Sequence, residues 1–178
     1  HSDKVSTEAG FCNDRKTQSG IWSGYGNLGY GTNATGYAPA GRLISNGSYK
    51  SSQTPSLKCS QIDDYFTVSG SSKGNHKLTY PVGLITSDEV VLAGGFGGSS
   101  NSSYYLHTGE YYWTMSPSYF NVAISRARVF AVHSDGSLNY NNGVNGTFGV
   151  CPVINLKADV TITGEGTSTD PYVVEGAM

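Results

Sequence analysis

The side chains of this sequence that could do covalent chemistry are first of all its cysteines. The 178-residue chain has three of them, Cys12, Cys59 and Cys151. An odd number in a domain of secreted type indicates one disulfide and one free thiol. Because Cys12 and Cys59 lie in similar polar segments while Cys151 lies in the apolar run 148–154, we predict a Cys12–Cys59 disulfide. Cys151 is then a small, half-buried residue, since no neighbouring base indicates a thiolate nucleophile.

The other candidates for catalysis or metal binding form no recognisable arrangement. A Ser-His-Asp hydrolase is only formally possible with His76, His107 and His133. His107 is placed between strands and His133 at a turn, and such positions are typical of surface histidines. Asp63 and Asp64 are adjacent, but a calcium site needs several more oxygen ligands at defined spacing. We therefore expect no enzymatic activity, no metal and no cofactor.

One glycine pattern matches the dinucleotide-binding fingerprint on residue type alone. Residues 24–29 read GYGNLG. The fingerprint requires a strand before it and a helix after it, and no helical pattern flanks this segment. We interpret it as belonging to a turn-rich loop region over 19–47.

The composition excludes several classes of protein. Charged residues make up 13% of the chain and the net charge is −2, which excludes the basic footprint of a nucleic-acid-binding domain. No apolar run approaches the ~18 residues of a membrane span. A hydrophobic share of 37%, which includes 13 tyrosines, suffices for a core, and 24 glycines indicate many turns. These values predict one β-rich domain with a neutral polar surface.

One helix has clear signals at both ends. Residues 86–89 (TSDE) form a capping box, in which a threonine hydroxyl and a glutamate three residues later each satisfy a free backbone N–H. Gly94 and Gly95 then end the apolar stretch. We predict a helix over 87–93 that begins after Thr86.

The strand signals lie in the second half of the chain. Aromatic runs at 104–106 and 111–115 suit buried strands. The Asp135–Gly136 pair predicts a hairpin between strands 128–133 and 138–141. We also expect one strand over 148–156, followed by a terminal hairpin of 160–163 with 172–174.

Three of these segments in this order resemble a known fold. They are the helix that ends in Gly94–Gly95, the Trp-centred segment 112–117 (YWTMSP) and the strand 148–156 (FGVCPVINL). Together they resemble the C-type-lectin-like fold in its formylglycine-generating-enzyme-like branch, over residues 80–156. The resemblance implies an α+β fold, β-rich, with one or two short helices and long Gly/Ser/Asn loops. A single domain over 1–178 is then expected, with a loop-rich N-terminal segment over residues 1–79, a core segment over 80–156 and a terminal hairpin segment over 157–178.

The known activities of that fold do not transfer to this chain. Formylglycine-generating enzymes use paired cysteines in the C-terminal region of the fold, and Cys151 has no second cysteine near it in the sequence. Calcium-dependent lectins carry a Glu-Pro-Asn or Gln-Pro-Asp loop and a Trp-Asn-Asp strand, and neither is present.

The sequence also resembles surface domains of gut Firmicutes, some of which follow a prepilin-type N-terminal helix. The similar segments are 83–86 (GLIT), 113–117 (WTMSP), 152–157 (PVINLK) and 164–174 (GEGTSTDPYVV). Those domains usually have Arg where this chain has Cys151. The resemblance implies an extracellular or cell-surface, pilus-associated location. It also implies no membrane insertion by this segment, with tethering through a removed N-terminal helix as one arrangement that it allows.

The same fold houses the variable proteins of diversity-generating retroelements, which display mutable residues just before the last core strand. The mutable codons of those proteins accumulate Asn, Tyr and Ser, and the corresponding window of this chain is rich in Asn and Tyr. Asparagine also fills turns for conformational reasons alone. Two interpretations therefore remain open, a diversified surface and a fixed binding surface.

The resemblance places the ligand-binding residues in two stretches, 119–126 and 139–145, on one exposed face. Trp113 and residues 150–154 would lie in the core beneath it, and Arg126 and Arg128 would flank it. The expected ligand-binding residues are Tyr119, Phe120, Asn121, Val122, Ile124, Ser125, Arg126, Asn139, Tyr140, Asn141, Asn142 and Asn145.

The residue types favour binding over catalysis. Tyr, Ser, Gly and Asn dominate adaptable paratopes, because tyrosine gives large contact area at low entropy cost and the others give flexible hydrogen bonding. The sequence predicts an extracellular ligand-binding or adhesion module whose partner is an unknown protein or glycan on a host, phage or bacterial surface. The alternatives are a structural, pilin-like head that only packs in a fibre and, third, an enzyme.

Overall fold

The computed structural model describes residues 2–26, 28–167 and 169–176, and it is β-rich with few short helices. The helices are α1 (Ala38–Leu43) and α2 (Ser87–Leu92), with 3-10 turns at Ser2–Lys4, Ile62–Asp64 and Val122–Ile124. The strands are β1 (Phe11–Cys12), β2 (Thr17–Gln18), β3 (Thr35–Tyr37), β4 (Ile44–Ser45), β5 (Ser48–Tyr49), β6 (Tyr65–Phe66), β7 (Gly83–Leu84), β8 (Tyr112–Asn121), β9 (Arg126–Val132), β10 (Leu138–Gly143), β11 (Gly149–Val150), β12 (Pro152–Val153), β13 (Ile162–Thr163) and β14 (Val173–Val174).

A six-stranded sheet organises the described residues. Its order is β10-β9-β8-β3-β2, and β11 runs parallel to β8 beside Tyr112 and Trp113. Two-stranded pairs surround it: β1 with β6, β4 with β5, β7 with β12, and β13 with β14. None of the helices in the described ranges is long and apolar enough to span a membrane.

The predicted helix is confirmed in type and position. The Thr86 hydroxyl accepts a hydrogen bond from the Glu89 N–H at 3.1 Å, and the Glu89 carboxylate accepts one from the Thr86 N–H at 2.8 Å. This capping box begins α2. Gly94, with φ of 107°, follows its C-terminus in the backbone region that favours glycine.

The predicted central hairpin is also confirmed. β9 and β10 pair antiparallel, with Leu138 opposite Val132. Gly136 has φ of 79°, and a Cβ there would clash with the Asn101 carbonyl. Glycine at this position therefore allows both the backbone conformation of the hairpin turn and the close approach of the loop that contains Asn101. The terminal hairpin, β13 with β14, is confirmed as well.

The hydrophobic core draws on the front half of the chain more than expected. Ile21, Leu43 and Ile44 are buried against Phe130 and Leu138. Residues 19–47, predicted as loops, contain β3, α1 and β4. The helix α1 is only six residues long and starts at a proline-containing first turn, so no full apolar period marks it in the sequence.

Two strand predictions are wrong. Residues 104–106 form a turn, in which Tyr104 is buried but Tyr105 is 82% exposed. The single strand expected over 148–156 is divided into β11 and β12, which pair with different partners, β8 and β7. Residues Val150 (68% exposed) and Ile154 (50%) therefore lie at the surface and not in the core.

The predicted disulfide is present. Cys12 and Cys59 are bonded, with their Cα atoms 5.7 Å apart. Cys151 is free and half-buried, and it packs against the edge of the core.

Candidate binding face on the central sheet

The register of β8 and β9 decides which side chains share a face. Tyr119 lies opposite Arg128, and Asn121 lies opposite Arg126. Phe120 lies between them on β8, and successive side chains of a strand point to opposite faces. Tyr119, Asn121 and the two arginines therefore lie on one face of the sheet, and Phe120 lies on the other.

A group of aromatic rings covers the first of these faces. The Trp22 ring centroid lies 5.3 Å from that of Tyr25, 4.7 Å from Tyr119 and 5.5 Å from Tyr140. The Tyr49 ring centroid lies 5.2 Å from that of Tyr140, so Tyr49 belongs to the same group. Such pairs contribute about 0.5–1.5 kcal/mol beyond the area that they bury. We call these five residues the aromatic cluster.

Hydrogen bonds tie the aromatic cluster to β9 and β10. The Tyr119 hydroxyl donates to Asn141 Oδ1 at 2.6 Å, and Arg128 Nη1 donates to the Asn141 carbonyl at 2.8 Å. The Tyr140 hydroxyl donates to the Gly47 carbonyl at 3.1 Å. The cluster is thus continuous with the rigid sheet, and it also packs against the core through Trp22, Tyr49 and Tyr140.

The hydroxyls of Tyr25 and Tyr119 remain neutral at physiological pH. Burial raises the pKa of Tyr119, and the Arg128 guanidinium opposes that rise. The pKa of Tyr25 is raised by burial and lowered by Arg128 in the same way. Both hydroxyls are therefore hydrogen-bond donors and acceptors, and neither supplies a phenolate.

Two arginines stand at the outer edge of the aromatic cluster. A Cβ on Gly143 would lie 3.0 Å from Arg126 Cδ, 3.4 Å from Arg128 Nη1 and 2.7 Å from Asn145 Oδ1. The side chains of Arg126, Arg128 and Asn145 thus pass close to Gly143 and leave no room for a side chain there. We call Arg126 and Arg128 the arginine pair, and the aromatic cluster with the arginine pair and Asn141 and Asn145 the binding face.

The structure brings together some of the predicted ligand-binding residues. Six of them are exposed: Val122, Ile124, Ser125, Arg126, Asn141 and Asn145. Phe120, Asn121, Asn139 and Tyr140 are half-buried, and Tyr119 and Asn142 are buried. The expectation that Tyr119 is exposed is wrong, because irregularities in the β8–β9 register around Pro117 turn its ring onto Trp22.

Three of the predicted residues point away from the binding face. Phe120 pairs with Ala127, Asn139 with Ala131 and Asn142 with Val129, which places all three on the opposite side of the sheet. The Asn142 carboxamide oxygen lies 3.2 Å from His133 Nε2. These side chains therefore cannot share one ligand surface with Arg126 and Asn141.

A second row of aromatic rings lies on that opposite side. Trp113 stacks on Phe148 with centroids 4.3 Å apart, and Tyr111 lies 5.2 Å from Phe148 and 4.6 Å from His133. Trp113 is half-buried by this stacking, which corrects the expectation that it lies in the core.

The sequence prediction missed Trp22, Tyr25 and Tyr49 as members of the face. They come from the front half of the chain, about a hundred residues before Tyr119 and Tyr140 in sequence. The alternation of Tyr with Gly and Ser over 22–31 was the available signal, because that composition is typical of adaptable binding loops.

A separate charged network lies at the N-terminus of α2. Arg42 donates from Nε to Asp88 Oδ1 at 2.6 Å and from Nη1 to Asp14 Oδ2 at 2.7 Å. Both carboxylates are buried. Ser56 N–H also donates to Asp88, at 2.9 Å, beside a cavity of about 240 Å³. Since Arg42 bonds both carboxylates, the arrangement is suited to holding these segments together.

The motifs considered for catalysis and nucleotide binding lack their structural context. Residues 70–74 (GSSKG) match the Gly-x-Ser-x-Gly pattern, but they form a turn and a bend with no helix after them, unlike a nucleophile elbow. Residues 24–29 are not followed by a helix before Ala38, and Asn27 lies outside the described residues. In the described ranges, no three His, Cys, Asp or Glu side chains are placed to hold a metal ion.

Comparisons of the chain with protein-family models, with curated proteins and with solved structures found no match. The case for a function therefore depends on the geometry of the binding face.

Proposed function

We propose that this chain is an extracellular ligand-binding module of a bacterial surface or pilus protein, and that the binding face is its ligand site. The observation that carries the proposal is the aromatic cluster, in which Trp22 is surrounded by Tyr25, Tyr119 and Tyr140 and bordered by two arginines. Trp, Tyr and Arg are the residues that most often dominate the energy of protein interfaces.

The packing that holds the binding face in place suits a ligand site. Tyr119 is 8% exposed and hydrogen-bonded, and Phe130 and Leu138, farther along the same face of the sheet, are fully buried. The exposed residue Asn145 lies after β10 and can change without altering that core, whereas Asn141 accepts the hydrogen bond of the Tyr119 hydroxyl. Binding sites commonly use this division between a rigid scaffold and a changeable surface.

The fold of this module is proposed to be C-type-lectin-like. Its support is the β-rich architecture with a capped helix that ends at Gly94, in the order that the resemblance requires. If the surface is diversified, the exposed members of the predicted set other than Asn141 are the positions that vary. Buried Tyr119 and Asn142 stay constant, because a change there disturbs packing or a hydrogen bond.

Binding to arrays of surface proteins and glycans tests the proposal. Tyr25 is half-buried in the aromatic cluster, whereas Tyr80 is 73% exposed and lies outside the cluster. We expect Tyr25→Ala to weaken binding of an array-selected ligand by about tenfold or more, as for an interface hot spot. The matched variant Tyr80→Ala should bind like the wild type. Equal binding by both variants would exclude the aromatic cluster as the ligand site.

A further inference from the structure

A cavity of about 240 Å³ lies beside the charged network of Arg42, and it is separate from the binding face. Its wall combines parts of β1, β7 and β8 with residues 56–58. Leu57 is 71% exposed and Lys58 is also exposed, so the cavity opens to water at these two residues. Because its volume is below the ~300–1,000 Å³ of pockets for drug-sized ligands, the cavity suits a smaller molecule.

One carboxylate in the wall of this cavity lacks a hydrogen-bond donor. The side chain of Asp14 lines the cavity and is 6% exposed. Its Oδ2 accepts from Arg42 Nη1 at 2.7 Å, but its Oδ1 is buried and has no partner in the described chain. Buried polar atoms in native proteins are almost always bonded, because an unbonded one costs free energy. A donor from outside the chain is therefore expected at Asp14.

A second carboxylate in the wall also has an unused acceptor. Glu89 accepts both of its bonds from Thr86 at Oε2, at 2.8 and 2.9 Å, and its Oε1 accepts from no group among the described residues. Both oxygens of Asp88, by contrast, already accept hydrogen bonds. Unused oxygens on two carboxylates suit an ammonium group, which has donors and no acceptor.

Two cations in the wall have donors to spare. Arg42 donates once each from Nε, Nη1 and Nη2, which leaves a second N–H on each terminal nitrogen. The ammonium of Lys58 pairs with no carboxylate in the part of the chain that the structure describes. A carboxylate of the ligand would form charge-assisted hydrogen bonds with these cations.

The remainder of the wall is largely apolar. Phe11 is buried, and Leu84 and Met115 are half-buried. An apolar wall with a few placed polar groups is typical of small-molecule sites. The ligand that matches this wall carries an ammonium, a carboxylate and a short apolar chain.

We propose that this cavity binds a free α-amino acid with a small apolar side chain, with its ammonium at Asp14 and Glu89 and its carboxylate at Arg42 and Lys58. The inference goes beyond the proposed function, because none of these four residues belongs to the binding face. A bound amino acid would bridge segments that the charged network already joins. It would therefore raise the stability of the folded chain, as any ligand specific to the native state does.

Titration of the isotope-labelled chain, followed by NMR and by calorimetry, tests the proposal. The probes are L-valine, L-valinamide, which lacks the carboxylate, and N-acetyl-L-valine, which lacks the ammonium. We expect L-valine to shift the amide signals of Phe11 and Ser116 in the cavity wall and to leave those of Tyr119 and Tyr140 unchanged. It should bind about tenfold or more tightly than either analogue, because each analogue loses the charge-assisted hydrogen bonds of one end.

Two variants test the two ends of the ligand. Lys58→Gln removes an exposed ammonium and should weaken the binding of L-valine but not of L-valinamide, whereas Lys77→Gln, also at an exposed position, is the matched control. Asp14→Asn should weaken both, because its carboxamide keeps an acceptor for Arg42 but turns the other oxygen into a donor. Asparagine also tolerates the positive φ of 48° at this position.

Several outcomes would overturn the proposal. No shift with any probe would leave the cavity to ordered water. Binding of L-valinamide or of N-acetyl-L-valine as tight as that of L-valine would replace the amino acid by a simple amine or a simple carboxylate. Unchanged affinity in a folded Asp14→Asn, or equal loss in Lys58→Gln and Lys77→Gln, would also contradict it. If Asp14→Asn does not fold, the two lysine variants decide.

Discussion

Arginine has opposite surroundings in two regions of this molecule. At the N-terminus of α2, Arg42 is held between the buried carboxylates of Asp14 and Asp88 at 2.7 and 2.6 Å. On the binding face, Arg126 and Arg128 lie close together and neither meets a carboxylate within the described chain. We call the first region, which comprises residues 12–14, Arg42, residues 56–59 and residues 86–89, the anchoring region.

The difference shows how the chain divides stability from binding. A charge taken out of water must be paired, since an isolated buried ion costs several kcal/mol. In the anchoring region the Arg42 guanidinium and its two buried carboxylates are committed to the fold, and the Cys12–Cys59 disulfide joins two of its segments. At the binding face the Arg126 side chain is exposed to water and is available to a partner. Changes in the anchoring region should therefore destabilise the protein, and changes at the exposed members of the binding face, such as Arg126 and Asn145, should not.

The largest loss of unfolding free energy is expected from Arg42→Met. This change leaves the carboxylates of Asp14 and Asp88 buried without their cation. Breaking a buried pair by removing one partner costs about 3–5 kcal/mol, and urea unfolding measures that loss. The exposed pair between Lys73 and Glu8 is the control, and Lys73→Met should unfold like the wild type. Similar stability of the two variants would contradict the anchoring role of Arg42.

The next largest loss of unfolding free energy is expected from removal of the disulfide. Cys12 and Cys59 are 47 residues apart, so the bond closes a long loop in the unfolded chain. The variant Cys12→Ser with Cys59→Ser should lose about 2–4 kcal/mol of unfolding free energy. Cys151→Ser is the control, because that thiol is free. Equal stability of the double variant and the control would show that the disulfide does not stabilise this region.

A smaller loss is expected from Thr86→Ala. The threonine hydroxyl accepts from the Glu89 N–H, and its loss leaves that donor at the first turn of α2 unsatisfied. Loss of such a cap costs about 0.5–2 kcal/mol. Thr32→Ala removes an exposed hydroxyl outside the helix and should leave the urea midpoint unchanged. A midpoint for Thr86→Ala equal to that of Thr32→Ala would exclude a stabilising cap.

The smallest expected effect on stability concerns a surface carboxylate that is held chiefly by hydrogen bonds. Hydrogen bonds from Ser137 and Ser100 lower the pKa of Asp135 to about 2. A pKa below the unfolded value contributes stability that is present above pH ~4 and is lost as the pH falls towards 2. The stability difference between wild type and Asp135→Asn should therefore shrink over that range. A difference that is independent of pH would contradict this coupling.

Signals within a few residues of sequence correctly predicted the elements that short-range hydrogen bonds and turns determine. The capping box at Thr86 and the Asp135–Gly136 turn each satisfy backbone groups within a few residues, and both are confirmed. The polar settings of Cys12 and Cys59 predicted the disulfide correctly. The short helix α1 has no comparable signal, because six residues contain less than two turns.

The site was harder to predict because its members meet only through tertiary packing. Trp22 reaches Tyr119 across almost a hundred positions of sequence, and no periodicity links them. The irregular register near Pro117 reversed the expected exposure of Tyr119. The register irregularity between Asn139 and Asn142 separates Asn141, which bonds Tyr119, from these two residues, which face the other side.

The affinity of the arginine double variant for an array-selected protein ligand tests the central claim most directly. In Arg126→Gln with Arg128→Gln the loss of stability should stay below that of Arg42→Met, because Arg126 is exposed and Arg128 gives up one hydrogen bond, to the Asn141 carbonyl. It should bind the ligand about tenfold or more weakly, while the charge-matched Lys16→Gln with Lys77→Gln keeps wild-type affinity. Unchanged affinity in the arginine variant, or a stability loss as large as that of Arg42→Met, would contradict the division between an anchoring region and a binding face.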